Sequence, residues 1–318
     1  MLEYRVETDH QGQRLDKFLR KKLENVPTSH LFKMIRTKKV RVNGKRCQPD
    51  QLLVEGDVIA IRGVAEKLLA ARPEGAVVRP PTPPPPLDVL YEDEWMMAVN
   101  KPSGMAVHPG SGIPDGTLVD AVRAYLGPKA VRNDFPASPA HRLDRDTSGV
   151  ILVAKRRPAM VRFTEVFTAG TAKKRYLVLV KGRMAQEHGV VDLPLSEHQQ
   201  TAASKAARGV KMQDAVTRWR ALGRGEECTF MECTIETGRT HQIRRHLAAI
   251  GHPVLGDRRY GDFPFNREAK ARWGLKRLFL HAERIEVPHP EDGRKMTFTT
   301  ALSADLQSVL ERAGIRLP

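Results

Sequence analysis

HRLDRDTSGVILVAK, residues 141–155, carries a His, two Arg and two Asp between His141 and Asp146, then turns apolar from Val150 to Ala154. The apolar run reads as a buried strand. Charges of both signs directly before such a strand have two readings: ion pairs at a loop, or a carboxylate held ready for chemistry. Asp144-x-Asp146-x-Ser148 resembles the start of a calcium loop, but the twelfth position, where a bidentate carboxylate is required, is Lys155. A phosphatase-type aspartate pair belongs after a strand, and here the strand follows the aspartates. The remaining chemical reading is a lone Asp144 kept ionised by flanking arginines, as a nucleophile or base requires. Asp146 reads as structural, pairing with a neighbouring Arg or capping the turn at Thr147-Ser148.

Outward from this stretch, the chain has 318 residues, 41% of them hydrophobic, enough to bury a core and to form two domains. No run of about 18 apolar residues exists, and the N-terminal segment lacks an apolar signal region. Three scattered cysteines, Cys47, Cys228 and Cys233, argue for a reducing compartment, with the cytoplasm expected. Cys228 and Cys233 have no matching second pair, so no zinc site is expected. His241 and His246 are five apart on an expected helix with no carboxylate to join them, and read as structural hydrogen bonders. GSGIPDG, 110–116, lacks dinucleotide-loop spacing and reads as a turn. No metal and no cofactor are expected. The net charge of +16 points to a polyanionic partner, RNA or DNA, rather than a membrane.

A proline-rich run, PEGAVVRPPTPPPP (73–86), divides the chain. The expected plan is a small domain over 1–63, a linker over 64–86 and a large domain over 87–318. In the small domain, Leu15, Phe18, Leu19 and Leu23 have helical spacing. Thr28 or Ser29 after Pro27 is expected to cap a second helix, with Leu31, Met34 and Ile35 inward. Asn43-Gly44 signals a hairpin, and DVIAI (57–61) a last strand. Residues 1–63 hold 14 Lys and Arg against 8 Asp and Glu, a net of +6. RLDKFL, the second-helix start, IRTKKVRVNGK and EGDVI, in that order, resemble an S4 RNA-binding domain. The resemblance implies that Lys33, Arg36, Lys39 and Arg41 meet RNA phosphates.

In the large domain, strands are expected at 87–102 (a hairpin), 149–155, 173–182, 229–238, 277–287 and 295–300. Helices are expected at 116–126, 159–170 and 241–251. Strands that follow one another without regular helical crossovers predict an α+β fold with a mixed, largely antiparallel sheet.

HRLDRDTSG, together with NKPSGMAVHPG (100–110), KKRYL (173–177) and TGRTHQIRRH (237–246), resembles the RluA-type family of RNA pseudouridine synthases over nearly the whole chain. GDFPFNR (261–267) and LKRLFLHA (275–282) are most similar to its RluC branch, which modifies uridines in large-subunit (23S) ribosomal RNA. The resemblance implies that Asp144 is the catalytic aspartate and that Tyr176 packs on the target base. It also implies that Arg239 pairs with Asp144 and that Arg142 fills the space left by the flipped base. Arg244 and Arg245 are expected to line the RNA groove. The implied partner is 23S ribosomal RNA; a stand-alone monomer is expected, with no guide RNA and no membrane. The alternative is a non-catalytic S4-domain RNA-binding or ribosome-assembly factor.

Overall fold

A computed structural model describes residues 2–6, 12–23, 26–63, 86–110, 113, 115–132, 135–196 and 212–315. They fall into two units divided at Pro80. The linker expected over 64–86 lies outside the described residues except for Pro86, as do residues 111, 112 and 114 of the turn expected at 110–116.

The N-terminal unit is a four-stranded antiparallel sheet, β1 (Leu2–Arg5), β2 (Val40–Val42), β3 (Lys45–Arg46) and β4 (Val58–Ile61), in the order β1-β4-β2-β3. Two helices, α1 (Leu15–Lys22) and α2 (Thr28–Arg36), bury their apolar stripes on it. Leu15, Phe18, Leu19, Met34, Ile59 and Ile61 share one core. Each such side chain contributes about 1.5–3 kcal/mol on leaving water. The hairpin turn is built as its sequence predicts, with φ of 50° at Asn43 and 73° at Gly44. The Asn43 side chain then ties the turn to Val58 and Asp57. Two details differ from expectation. The cap position of α2 falls on Pro27, not Thr28 or Ser29, and no side chain caps it. Pro27 supplies the extended φ and ψ, and its carbonyl accepts from the amides of His30 and Leu31. The strand β1 has no sequence expectation behind it, because four alternating residues give little periodicity.

The C-terminal unit is built on a ten-stranded sheet. Its strands, in chain order, are β5 (Val89–Glu92), β6 (Met96–Lys101), β9 (Ser138–Pro139), β10 (Ser148–Ala154), β11 (Lys173–Lys181), β12 (His188–Asp192), β15 (Val216–Arg224), β16 (Cys228–Ile235), β17 (Leu280–Pro288) and β18 (Lys295–Thr299). Two short pairs stand apart, β7 (Val131–Arg132) with β8 (Phe135–Pro136) and β13 (Leu195–Ser196) with β14 (Met212–Gln213). The main order is β12-β15-β16-β11-β17-β10-β6-β5, with β18 on β17 and β9 on β10. Every pairing in it is antiparallel except β10 with β17, which run parallel through Ser148–His281 and Gly149–Ala282.

The helices α3 (Leu118–Leu126), α4 (Arg157–Thr168), α5 (Gln242–Ala249), α6 (Phe263–Trp273) and α7 (Ala304–Arg312) complete the unit. The first three match the sequence reading; α6, α7, β12 and β15 had no expectation. All seven residues of β10 are buried. Ile151 and Val153 enter one apolar core, while Val150, Leu152 and Ala154 enter another. The strand therefore has core on both faces, which is why its sequence is continuous rather than alternating. Gly149 has φ +117°, and a Cβ there would lie 2.2 Å from the Ala282 carbonyl oxygen, so only glycine allows β10 to meet β17. That crossing fixes the end of β10 from which the Asp144 loop hangs.

Candidate active site

Asp144 lies four residues before β10, in a tight turn closed by the Thr147 amide on its carbonyl. The turn is gripped from the backbone. The Lys101 ammonium, at the end of β6, donates to the carbonyls of Pro102, Met105 and Arg145 at 2.9–3.0 Å. The Gly104 amide also donates to Arg145 O, and the Ser103 hydroxyl donates to Asp146 O. Lys101 is wholly buried, and burial pulls its pKa down to about 7, with Asp144 and Asp146 pulling the other way. Asp146 pairs with Arg145 at the surface, as expected of a structural residue.

The Asp144 side chain opens into a cavity of about 120 Å³ whose walls include Arg142, Tyr176, Ile235, Arg239, Ile243 and Leu280. Tyr176 comes from β11, on the same sheet face as Val178 and Val180. Burial, and then the charge of Asp144, push its phenol well above the ordinary value, so it is neutral in the working range. Arg142 is exposed at the cavity edge.

The cation on Asp144 is Arg244. Its Nη1 donates to Asp144 Oδ2 at 2.9 Å. Its Nε and Nη2 donate to the two oxygens of Asp257 at 2.7 and 2.9 Å. This corrects two expectations. Arg239 lines the cavity, but its Nε donates to the Asp214 carbonyl, and the pairing expected of it belongs to Arg244. Arg244 in turn is no groove residue: its side chain is 10% exposed and its three hydrogen bonds go to Asp144 and Asp257. The reason is local. Arg239 precedes α5, in the turn that Gln242 ties to Thr237 and the Arg239 amide, whereas Arg244 sits in the first turn of α5 and reaches back. Arg245 bonds Ser196 on the neighbouring β13.

His241 completes the surroundings. It has the left-handed φ of +54° at the start of α5. Its Nε2 is 3.7 Å from Asp144 Oδ1 and its Nδ1 is 3.1 Å from the Tyr260 hydroxyl. Burial lowers its pKa while Asp144 opposes the shift. His246 is structural, held by Thr217 and the Leu193 carbonyl. Among the described residues, no cluster of three or more His, Cys, Asp or Glu could hold a metal ion, and no helix is long and apolar enough to cross a membrane.

Comparison with known proteins gives the chain its family. The profile of the family described as RNA pseudouridylate synthase matches residues 96–249, and the S4 domain profile matches 13–59. Relatives named ribosomal large subunit pseudouridine synthase C are 38% identical in Escherichia coli (strain K12) and 36% identical in Vibrio cholerae serotype O1. Each alignment covers 96% of this chain and 95% of the relative. The chain belongs to the RNA pseudouridylate synthase family. The solved human RNA pseudouridylate synthase domain containing 4 is 27% identical, with a TM-score of 0.58 over 73% of this chain and 94% of that one. As an RNA pseudouridine synthase, the protein is an enzyme, and the α+β fold with an N-terminal S4 domain is the fold the sequence led one to expect.

Lys101, Asp257 and Tyr260 are the site residues that sequence reasoning passed over, and His241, read as a structural hydrogen bonder, stands beside Asp144 and bonds Tyr260. NKPSG and LGDRRYG each place a charged residue beside glycine or proline, the available signal that backbone and charge are being fixed together. Replacing Lys101 with Met leaves carbonyls of the Asp144 turn unsatisfied. We expect a loss of about 2–4 kcal/mol in urea unfolding. The pKa is depressed in the folded state, so an unfolded chain holds this proton up to about pH 10.4 and the folded one only to about 7. The wild type should therefore gain stability over the Met variant as pH rises through that window.

Proposed function

We propose that this enzyme converts uridines of large-subunit ribosomal RNA to pseudouridine, with Asp144 as the catalytic carboxylate. The observation that carries the site assignment is Asp144 fixed through one oxygen by Arg244 at the mouth of a cavity walled by Tyr176. The RNA class rests on the names of relatives that align along 96% of this chain. In the reaction the N1–C1′ bond breaks, a C5–C1′ bond forms, the C5 proton leaves and N1 gains a proton. Attack at C1′, addition to C6 and removal of the 2′ proton each start from an ionised carboxylate oxygen, and Asp144 offers one.

A stacked uridine cannot reach Asp144, so the base must leave the helix. Ile235, Ile243 and Leu280 give it an apolar slot, and the neutral Tyr176 ring gives it a flat face. Arg142, exposed at the edge, takes the place the base vacates. We assign 1–63 as the RNA-anchoring domain, 64–86 as a linker and 87–318 as the catalytic domain, acting as a cytoplasmic monomer without a guide RNA. Lys33, Arg36, Lys39 and Arg41 are all exposed on α2 and the hairpin side of the small unit, which suits phosphate contact.

Two experiments test this reading. Pseudouridines are mapped by mass spectrometry in 23S, 16S and transfer RNA from cells with and without the protein. Sites in 23S RNA alone should disappear; unchanged 23S RNA would sink the substrate assignment. Second, replacing all four cationic residues with Ala should weaken RNA binding and reduce the slope of log K against log salt by about 3, with kcat at saturating RNA within about threefold.

A further inference from the structure

Asp144 and Asp257 share one guanidinium but have different surroundings. The Asp144 side chain is 24% exposed to the cavity, whereas that of Asp257 is wholly buried. We propose that Asp257 is the positioning residue of this site: it fixes the side-on edge of Arg244 in an orientation from which the guanidinium gives Asp144 one hydrogen bond, through Nη1, and leaves the second carboxylate oxygen open for chemistry. The inference rests on Asp144 being the catalytic carboxylate.

An arginine facing a lone carboxylate prefers a two-pronged pair that occupies both oxygens. Such a pair on Asp144 would block the atom that must react. Here the Nε–Nη2 edge of Arg244 is taken by Asp257 at 2.7 and 2.9 Å, and only Nη1 reaches Asp144 Oδ2. Asp144 Oδ1 has no hydrogen bond among the described residues; the His241 ring stands 3.7 Å away.

Asp257 is itself fixed without freedom to yield. Its Oδ1 also accepts from the amides of Arg259 and Tyr260 at 2.8 and 3.0 Å. Its carbonyl accepts from Asn266 on α6, whose side-chain oxygen takes the Gly256 amide. A Cβ on Gly256 would lie 2.1 Å from the Arg277 carbonyl oxygen, so the loop before Asp257 is pressed against the chain leading into β17. Through the Tyr260 amide, Asp257 also sets the second arm of the site. The Tyr260 ring lies 5.2 Å from the Arg244 guanidinium carbon, and its hydroxyl bonds His241, the ring beside Oδ1. One buried carboxylate thus aligns both neighbours of Asp144.

The test is a double-mutant cycle on the full-length enzyme, reading single-turnover pseudouridine formation and RNA affinity. Asp257→Asn should lower kcat on the order of 10²-fold, the scale of a misplaced reacting group, with KM within about threefold. In an Arg244→Lys background, where the fork is already lost, the same change should cost less than about threefold, because it acts through Arg244. Equal losses in both backgrounds, or wild-type kcat in Asp257→Asn, would overturn the proposal. If Asp257→Asn melts below the assay temperature, Asp257→Glu is read instead. It keeps the charge but shifts the fork, and should lose kcat at unchanged KM; wild-type kcat there also overturns the proposal. Asp144→Asn is run alongside. Activity in that variant would refute the catalytic assignment itself, whereas inactivity there with an active Asp257→Asn would remove only the positioning role.

Discussion

Asp144→Asn is expected to lower the rate of pseudouridine formation by at least about 10³-fold, while RNA affinity stays within about threefold. The size follows from the loss of an ionised oxygen that the chemistry must use, which in enzymes costs about 10²–10⁴-fold or more. The selectivity follows from the location. Asp144 is partly buried in a cavity of the C-terminal unit, whereas the cations proposed to meet phosphates are exposed side chains of the N-terminal unit. Asn keeps the shape and one carbonyl for Arg244, so the fold should hold. Quantifying pseudouridine in a single turnover, next to a filter-binding isotherm, checks both halves. An Asn variant that still turns over, or one that is inactive only because it no longer binds, would remove Asp144 from its role.

Arg244→Met should have the largest effect on stability. It strands Asp257, whose side chain is wholly buried. Breaking a buried pair from one side costs about 3–5 kcal/mol, and for a unit of this size that lowers Tm by about 10 °C. The deficit should depend on pH. Burial disfavours the Asp257 charge, but Arg244 and the amides of Tyr260 and Arg259 outweigh it and hold the carboxyl below its ordinary value. A depressed carboxyl contributes stability that is present above the unfolded pKa, near 3.9, and lost as pH falls through the folded one. The gap between wild type and variant should thus be widest near neutrality and shrink below about pH 4. Thermal melts at pH 7 and pH 3.5 measure it. Equal Tm values at neutrality would mean that the pair contributes nothing net.

The fold was legible where periodicity was strong. The seven buried residues of β10 and the alternating turn-flanked segment around Asn43-Gly44 leave few alternatives. Strands β12 and β15 were not legible, because β12 buries only Val191 and β15 only Thr217 and Trp219, and pairing rather than composition makes them strands. Within the site, the grouping of Asp144, Tyr176 and Arg142 was implied by the family resemblance, and all three line one cavity. The arginine on Asp144 did not. TGRTHQIRRH offers three arginines within seven residues, and which one reaches back depends on where α5 begins, a matter of one helical turn that sequence patterns place poorly. Asp257 was invisible for a different reason: its partner is thirteen residues away, and nothing in the spacing advertises a buried pair across a loop.

The grip of Lys101 and Ser103 falls on main-chain oxygens, those of Arg145 and Asp146, and not on their side chains. The two side chains themselves form only an exposed pair, of a kind worth about 0–1 kcal/mol. Positions 145 and 146 are therefore free to drift while the reactive group one and two residues upstream stays in register. A library randomised at both positions should return a broad spectrum of working sequences, whereas one randomised at 101 should return almost none but the parent.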